Sequence, residues 1–174
     1  MKKENIVRLI TIIGLVTIGI LARLIDHPAN VSPIAAIALF SGAMFSDKRL
    51  AFGIPIAAMM LSDAIIGFHE LALIVYLSFA LCVFIGWFLI KKSSIKNVIL
   101  ASLAASVVFF VFTNFAYWLL YYPNTFEGLV ACYTAALPFF RNSLIGDLVY
   151  SGVLFGGFAF AERYIEQLKP IRIK

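Results

Sequence analysis

An all-α polytopic membrane protein, a bundle of six transmembrane helices with a short interfacial helix before the last, is the fold class this sequence predicts. Three observations predict it. Of 174 residues, 63% are hydrophobic and only 13% charged, with a mean hydropathy of +1.00; soluble domains carry about 45–50% apolar and about 25% charged residues. The apolar residues fall into runs long enough to span lipid, which needs about 20 residues per helix. The bases sit at the junctions of those runs. A chain of this size has no aqueous core large enough to hide so much apolar surface, whereas an apolar exterior is stable in a bilayer.

The predicted spans are 6–25, 33–46, 50–68, 71–90, 97–122 and 143–161. The first opens like a secretory signal, with Lys2 and Lys3 before an apolar run, but it carries Arg8 and lacks an Ala-x-Ala site before Arg23, so a retained span is expected. The second is short, and its 14 residues cover only about 21 Å at ~1.5 Å per residue. Charge supports counting it. With six crossings, one side receives Lys2, Lys3, Arg8, Lys48, Arg49, Lys91, Lys92, Lys96, Arg163, Lys169, Arg172 and Lys174, and the other only Arg23 and Arg141. The positive-inside rule makes the basic side cytoplasmic, which predicts a multi-pass protein of the bacterial inner membrane with both termini in the cytoplasm.

Ser32-Pro33 reads as the start of the second helix, with Ser at the N-cap and Pro at the first helical position. Pro55 falls inside the third span. Asn124-x-x-Glu127 reads as a variant capping box, predicting a short interfacial helix to about Ala136 that Pro138 separates from the last span and that covers the outer mouth as a lid. No repeat or linker interrupts the chain, so residues 1–174 form a single integral membrane domain. The net charge of +5 is a topology signal on this reading, and no nucleic-acid partner is expected.

Ionisable groups within a membrane point to function. The topology places His27, Asn30, Asp63, His69, Asn114, Tyr117, Trp118, Tyr121, Cys132, Tyr133, Arg141, Asn142 and Asp147 near the outer face, where they are the candidate solute-binding residues. Asn114, Tyr117, Trp118 and Tyr121 stand at i, i+3, i+4 and i+7, on one helical face; Ser143, Asp147, Tyr150 and Ser151 share a face of the sixth span. An aromatic face opposite a carboxylate suits a flat organic solute with hydrogen-bonding edges, although Trp and Tyr also populate membrane interfaces for their own sake. Asp63, late in its helix where the macrodipole disfavours negative charge, needs a cation or a proton. Bridges from Asp63 or Asp147 to Arg141 are expected, with Arg23 the other base on that side.

Cys82 and Cys132, 50 residues apart, make no CxxC or zinc spacing. His27, His69, Asp63 and Asp147 are metal-capable side chains without HxxxH or HExxH spacing, so no metal or cofactor is expected. Ala38-x-x-x-Gly42, Gly53-x-x-x-Ala57, Ala101-x-x-x-Ala105 and Gly152-x-x-x-Gly156 are small-residue pairs that let helices approach closely, within the bundle or against a partner subunit.

The runs His27-Pro28-Ala29-Asn30-Val31-Ser32-Pro33, Ala38-Leu39-Phe40-Ser41-Gly42-Ala43, Ser62-Asp63, Thr113-Asn114 and Cys132-Tyr133-x4-Pro138-Phe139-Phe140-Arg141-Asn142-x3-Gly146-Asp147 resemble an uncharacterised bacterial family of six-span proteins, DUF6580-like, over roughly residues 20–160. More distantly, size, span count and topology are similar to the substrate-binding S-components of energy-coupling-factor (ECF) vitamin transporters and to BtuM-type vitamin B12 transporters. That likeness implies uptake of a vitamin- or cofactor-like solute, with cobalamin as one candidate. It matches His27, Asp63 and Arg141 to that group's histidine, aspartate and arginine, whereas neither Cys82 nor Cys132 aligns with its cobalt-binding cysteine. The chain carries no Walker motif, so energy is expected from a partner or a gradient; likeness to an S-component implies a transmembrane coupling subunit with ATPases, whereas a solitary transporter would have none. The competing readings are an intramembrane enzyme with Asp63, His69 or Asp147 as acid or base, and an accessory subunit that uses only its small-residue faces.

Overall fold

The computed structural model describes residues 3–26, 28–91 and 94–164. His27 and the bases Lys2, Lys92, Lys169, Arg172 and Lys174 lie outside them. Among the described residues the chain forms six α-helices and no strand: α1 (Lys3–Leu24), α2 (Ile34–Met44), α3 (Lys48–Ile66), α4 (Ala72–Leu89), α5 (Ile95–Tyr121) and α6 (Phe126–Tyr164). Four of them, α3 to α6, are long and apolar enough to cross a membrane. The apolar part of α1, Leu9–Leu24, and the whole of α2 are shorter.

The architecture follows from α2. Its sequence, IAAIALFSGAM, is apolar on every side, the pattern of a helix buried all round, and ten of its 11 residues are buried. It packs against all five other helices. Around it α3, α4, α5 and α6 follow one another as successive neighbours, with α1 laid against α3. The outward faces of the surrounding helices expose Ile10, Leu21, Ile65, Leu73, Ile99, Phe112, Leu119, Val149 and Val153, as a lipid-contacting surface would.

Glycine sets how closely α2 meets α4. A Cβ on Gly42 would overlap the Val83 carbonyl oxygen, and one on Gly86 would overlap that of Leu39. Each helix therefore presses its glycine onto the other's backbone. Phe40 locks α2 to α6 through edge-on contacts with Phe155 and Phe158, both at 5.2 Å between ring centres. Of the small-residue pairs, Ala38/Gly42 and Ala101/Ala105 are buried inside the bundle. Gly53, Gly152 and Gly156 meet open space and face outward.

Three local expectations are corrected. Ser32 makes no cap bond to α2; the N-cap position is Pro33, whose ring already holds a helical φ of −77°. The cap of α6 is Thr125, whose hydroxyl accepts from the Gly128 N–H at 3.2 Å, not Asn124. The separate interfacial helix does not exist: α6 runs unbroken for 39 residues with Pro138 inside it. A proline removes one intrahelical hydrogen bond, but membrane helices tolerate it where packing continues on both sides. Here Tyr133 and Phe140 flank Pro138, and both rings meet Phe110 of α5, Tyr133 edge-on and Phe140 tilted across it.

The start of α3 meets the end of α4, with Lys48 Nζ 3.8 Å from the centre of the Trp87 ring, and the first half of α5 meets the last half of α6 through Ser102 and Ser151. Lys48, Lys91, Lys96 and Arg163 thus gather at one end of the bundle. The ends of α1 and α3 and the start of α4 form the other.

Replacing Gly86 by Ala overpacks the α2–α4 contact and lowers the Tm of the detergent-purified protein by roughly 5 °C or more. Gly53→Ala, at an open helical position, leaves Tm unchanged or slightly raised. Equal Tm values for the two variants in differential scanning fluorimetry would contradict this packing.

Candidate functional site

The polar side chains collect where α1 and α3 end. Arg23, in the last turn of α1, reaches the C-terminal part of α3, where its Nη1 lies 2.6 Å from Asp63 Oδ1. The same nitrogen donates to Ser62 Oγ at 2.5 Å and to the Met59 carbonyl at 3.2 Å. From α4, the Tyr76 hydroxyl donates to Asp63 Oδ2 at 2.5 Å. Both carboxylate oxygens are thereby engaged, although Asp63 is wholly buried and Arg23 is 17% exposed. The cation that Asp63 requires is Arg23, not Arg141. Because α1 packs on α3, Arg23 arrives at the depth of Asp63, whereas Arg141 is exposed on α6 and forms no ion pair among the described residues.

Asp147, near the middle of α6, is handled differently. It is 5% exposed and accepts a hydrogen bond from Ser106 of α5 at 2.6 Å through Oδ2. No base among the described residues pairs with it. Below it Ser102 donates to Ser151 at 2.8 Å, so hydroxyls line the α5–α6 seam.

Beside these groups two cavities adjoin. One, of about 350 Å³, is lined by Arg23, Asn30, Ser32, His69, Ser143 and Asp147 with apolar walls that include Ala35, Met59 and Phe79. The second, of about 440 Å³, is lined by Asn114, Tyr117, Tyr122, Cys132, Ala136 and Phe139 among others. Asn30, Val75 and Phe109 border both. Asn30 and His69 are exposed and form a rim, while Ala35, Met59, Ser143 and Asp147 are buried and form the floor. Asn30 owes its position to a tight turn in which the Val31 N–H donates to the Pro28 carbonyl at 3.0 Å. Asn30 itself takes a positive φ of 63°, a conformation Asn tolerates better than most residues.

Of the predicted binding residues, Asn30, His69 and Asp147 line the first cavity, and Asn30, Asn114, Tyr117 and Cys132 line the second. The other described ones border neither. Asp63 is covered by its partners. Trp118 donates through Nε1 to the Pro123 carbonyl at 2.9 Å, and the Tyr121 hydroxyl to Glu70 at 2.5 Å, so the aromatic face of α5 is split between cavity and surface. Tyr133 donates to the Val111 carbonyl at 2.7 Å, and Asn142 to the Ala29 carbonyl at 3.0 Å, which moors the rim turn to α6. His27 lies outside the described residues. The 124–140 segment expected as a lid is the first part of α6, packed on α5, and Cys132, Ala135, Ala136 and Phe139 make it a cavity wall. Tyr76, Ser62, Ser106, Phe109 and Thr113 were not anticipated. Ser106 was findable, because it lies eight residues before Asn114 on the cavity side of the same helix. Among the described residues no three His, Cys, Asp or Glu side chains converge as a metal ion would need.

A protein helical among its described residues, with four helices apolar and long enough to cross a membrane and with apolar-walled cavities carrying a few polar groups at one end of its bundle, is the class these features define. The chain belongs to DUF6580, described as a family of unknown function, whose model matches residues 3–168. No curated protein and no solved structure matches it.

Removing the guanidinium strands a buried carboxylate, so Arg23→Ala is expected to destabilise the protein by about 3–5 kcal/mol. The double variant Arg23→Met with Asp63→Leu recovers most of that loss. Unfolding in detergent titrations is the measurement, and a double variant no more stable than Arg23→Ala would show that the pair is not the source of the effect.

Proposed function

We propose that this chain is a six-span solute-uptake component of the bacterial inner membrane, similar in kind to an ECF-type S-component, that captures a small vitamin- or cofactor-like solute at its outer face. The observation that carries this reading is the segregation of chemistry along the bundle. Polar cavities lie at the end where α1 and α3 finish, while Lys48, Lys91, Lys96 and Arg163 lie at the other. Under the positive-inside rule the basic end faces the cytoplasm, so the cavities open outward and both termini are cytoplasmic. On this topology α1 and α2 are also counted as crossings, α2 as a half-length element enclosed by its neighbours.

Cavities of 300–1,000 Å³ with apolar walls and a few fixed polar groups are the usual form of small-molecule sites. Phe109, Tyr117 and Phe139 offer rings for stacking, and Asn30, Asn114 and Ser143 offer hydrogen bonds. At this size the solute is smaller than a corrinoid. The residues that invite a cobalamin comparison fit it poorly: Asp63 is covered, Arg141 borders neither cavity, and Cys82 is buried away from both. Energy for release inward comes from a partner, a transmembrane coupling subunit with ATPases. An acid–base role for Asp63 has little support, since both its oxygens are held by Arg23 and Tyr76.

Mass spectrometry of small molecules released from the detergent-purified protein tests the reading. One solute is expected to be enriched over an unrelated membrane protein prepared alike, and to fall about tenfold or more in Ala135→Trp, which fills the second cavity from its exposed wall. Cells carrying the wild-type chain accumulate that solute and cells carrying the variant do not. Absence of any enriched molecule would refute the proposal.

A further inference from the structure

We infer that the solute of this cavity carries a compact positive charge, an ammonium or a heteroaromatic cation, and that Asp147 is the residue that receives it. The inference rests on the uptake reading for the cavity being a binding site, and adds to it the chemical class of the occupant.

The two buried carboxylates of the bundle stand in contrast. Asp63 has an arginine at 2.6 Å and a tyrosine hydroxyl at 2.5 Å. Asp147 is nearly as deeply enclosed, borders the first cavity, and has one hydroxyl, Ser106, on one of its oxygens. A carboxylate in a low-dielectric interior stays ionised only when a positive charge meets it, and otherwise holds a proton. Among the described residues no protein cation does so, and the side of Asp147 that Ser106 leaves free borders open volume.

The positive groups facing the same space do not cancel this demand. Arg23 lines the cavity but is already matched by Asp63, so one base stands against two carboxylates there. The N-terminus of α2, which has no side-chain cap, contributes at most about half a charge, spread over its first turn. His69 sits at the exposed rim. Among the described residues Asp147 is therefore the cavity carboxylate that no protein cation matches, and a cationic solute would take the place of the proton that otherwise neutralises it. Ser143, one turn earlier on α6, and Asn30 supply acceptors around an N–H-bearing head group. The adjoining cavity, walled by Phe109, Tyr117 and Phe139, takes an apolar or aromatic body.

The test uses three probes of one shape and different charge: phenethylammonium, 2-phenylethanol and phenylacetate. Each is titrated calorimetrically into the full-length protein in lipid nanodiscs, with empty nanodiscs subtracted. The ammonium probe is expected to bind about tenfold or more tightly than the alcohol, and phenylacetate least. In Asp147→Asn the ammonium advantage over the alcohol disappears, and an unfolding temperature close to that of wild type shows that the variant is folded. The wild-type ranking decides the matter even if that variant fails to fold. Equal binding of all three, preference for phenylacetate, no binding at all, or an ammonium preference that survives in Asp147→Asn would each overturn the assignment. Binding without charge selection would leave the uptake reading intact, and that reading fails on its own test if no solute co-purifies.

Discussion

A helix of 11 residues buried on every side is the constraint from which this bundle takes its form. At ~1.5 Å per residue α2 fills about 16 Å, roughly half of a hydrocarbon layer about 30 Å thick. Its neighbours are longer, so they converge on it over part of their length, and beyond Pro33 a turn rather than a helix lies between them. The space left over is the cavity. Asn30, Ser32 and Ala35 line it because they are the residues at which α2 begins. The glycine-to-carbonyl contacts at Gly42 and Gly86 hold the filled half tightly enough that the unfilled half does not collapse into a smooth continuation of the core.

Polarity in that open half is held by two arrangements. The group of Arg23, Asp63, Tyr76 and Ser62 ties α1, α3 and α4 together at the level of the cavity. A buried pair of this kind contributes little net stability against a well-packed apolar substitute, but losing one partner is costly, so its effect is to fix which helices meet and at what height. The α5–α6 seam uses hydroxyls in place of charges, with Ser102, Ser106 and Ser151 in sequence along it. Short side chains let the two helices lie close; Ser102 and Ser106 find acceptors inside the seam, and Ser151 accepts from Ser102.

Much of this was legible in the residues themselves. Hydropathy placed all six helices to within a few residues, apart from the start of the last, because each run is bounded by charge or by Pro and Gly. Conversion of those runs into neighbours was not legible. Asp63 plainly required a cation, and two candidates stood at the right end of the bundle; choosing Arg23 over Arg141 needs the knowledge that α1 packs on α3, which no local pattern encodes. Pro138 misled for a related reason. Proline ends helices when the freed carbonyl and the bend go unsupported, and the support here comes from Phe110 on another helix. The cavity-lining half of the α5 aromatics was separated from the surface half by the loop partners Pro123 and Glu70, which lie distant in sequence from the rings they hold or are reached only once the chain has turned.

The unbroken course of α6 has a mechanical meaning. One rod carries the wall residues Cys132 to Phe139, the floor at Ser143 and Asp147, and the Phe155 and Phe158 clasp on Phe40 at the far side of the bundle. A hydrogen-bonded helix is stiff along its length, with Pro138 its natural soft point. Below that proline no loop separates the floor from the clasp, so the two are joined as one stiff piece.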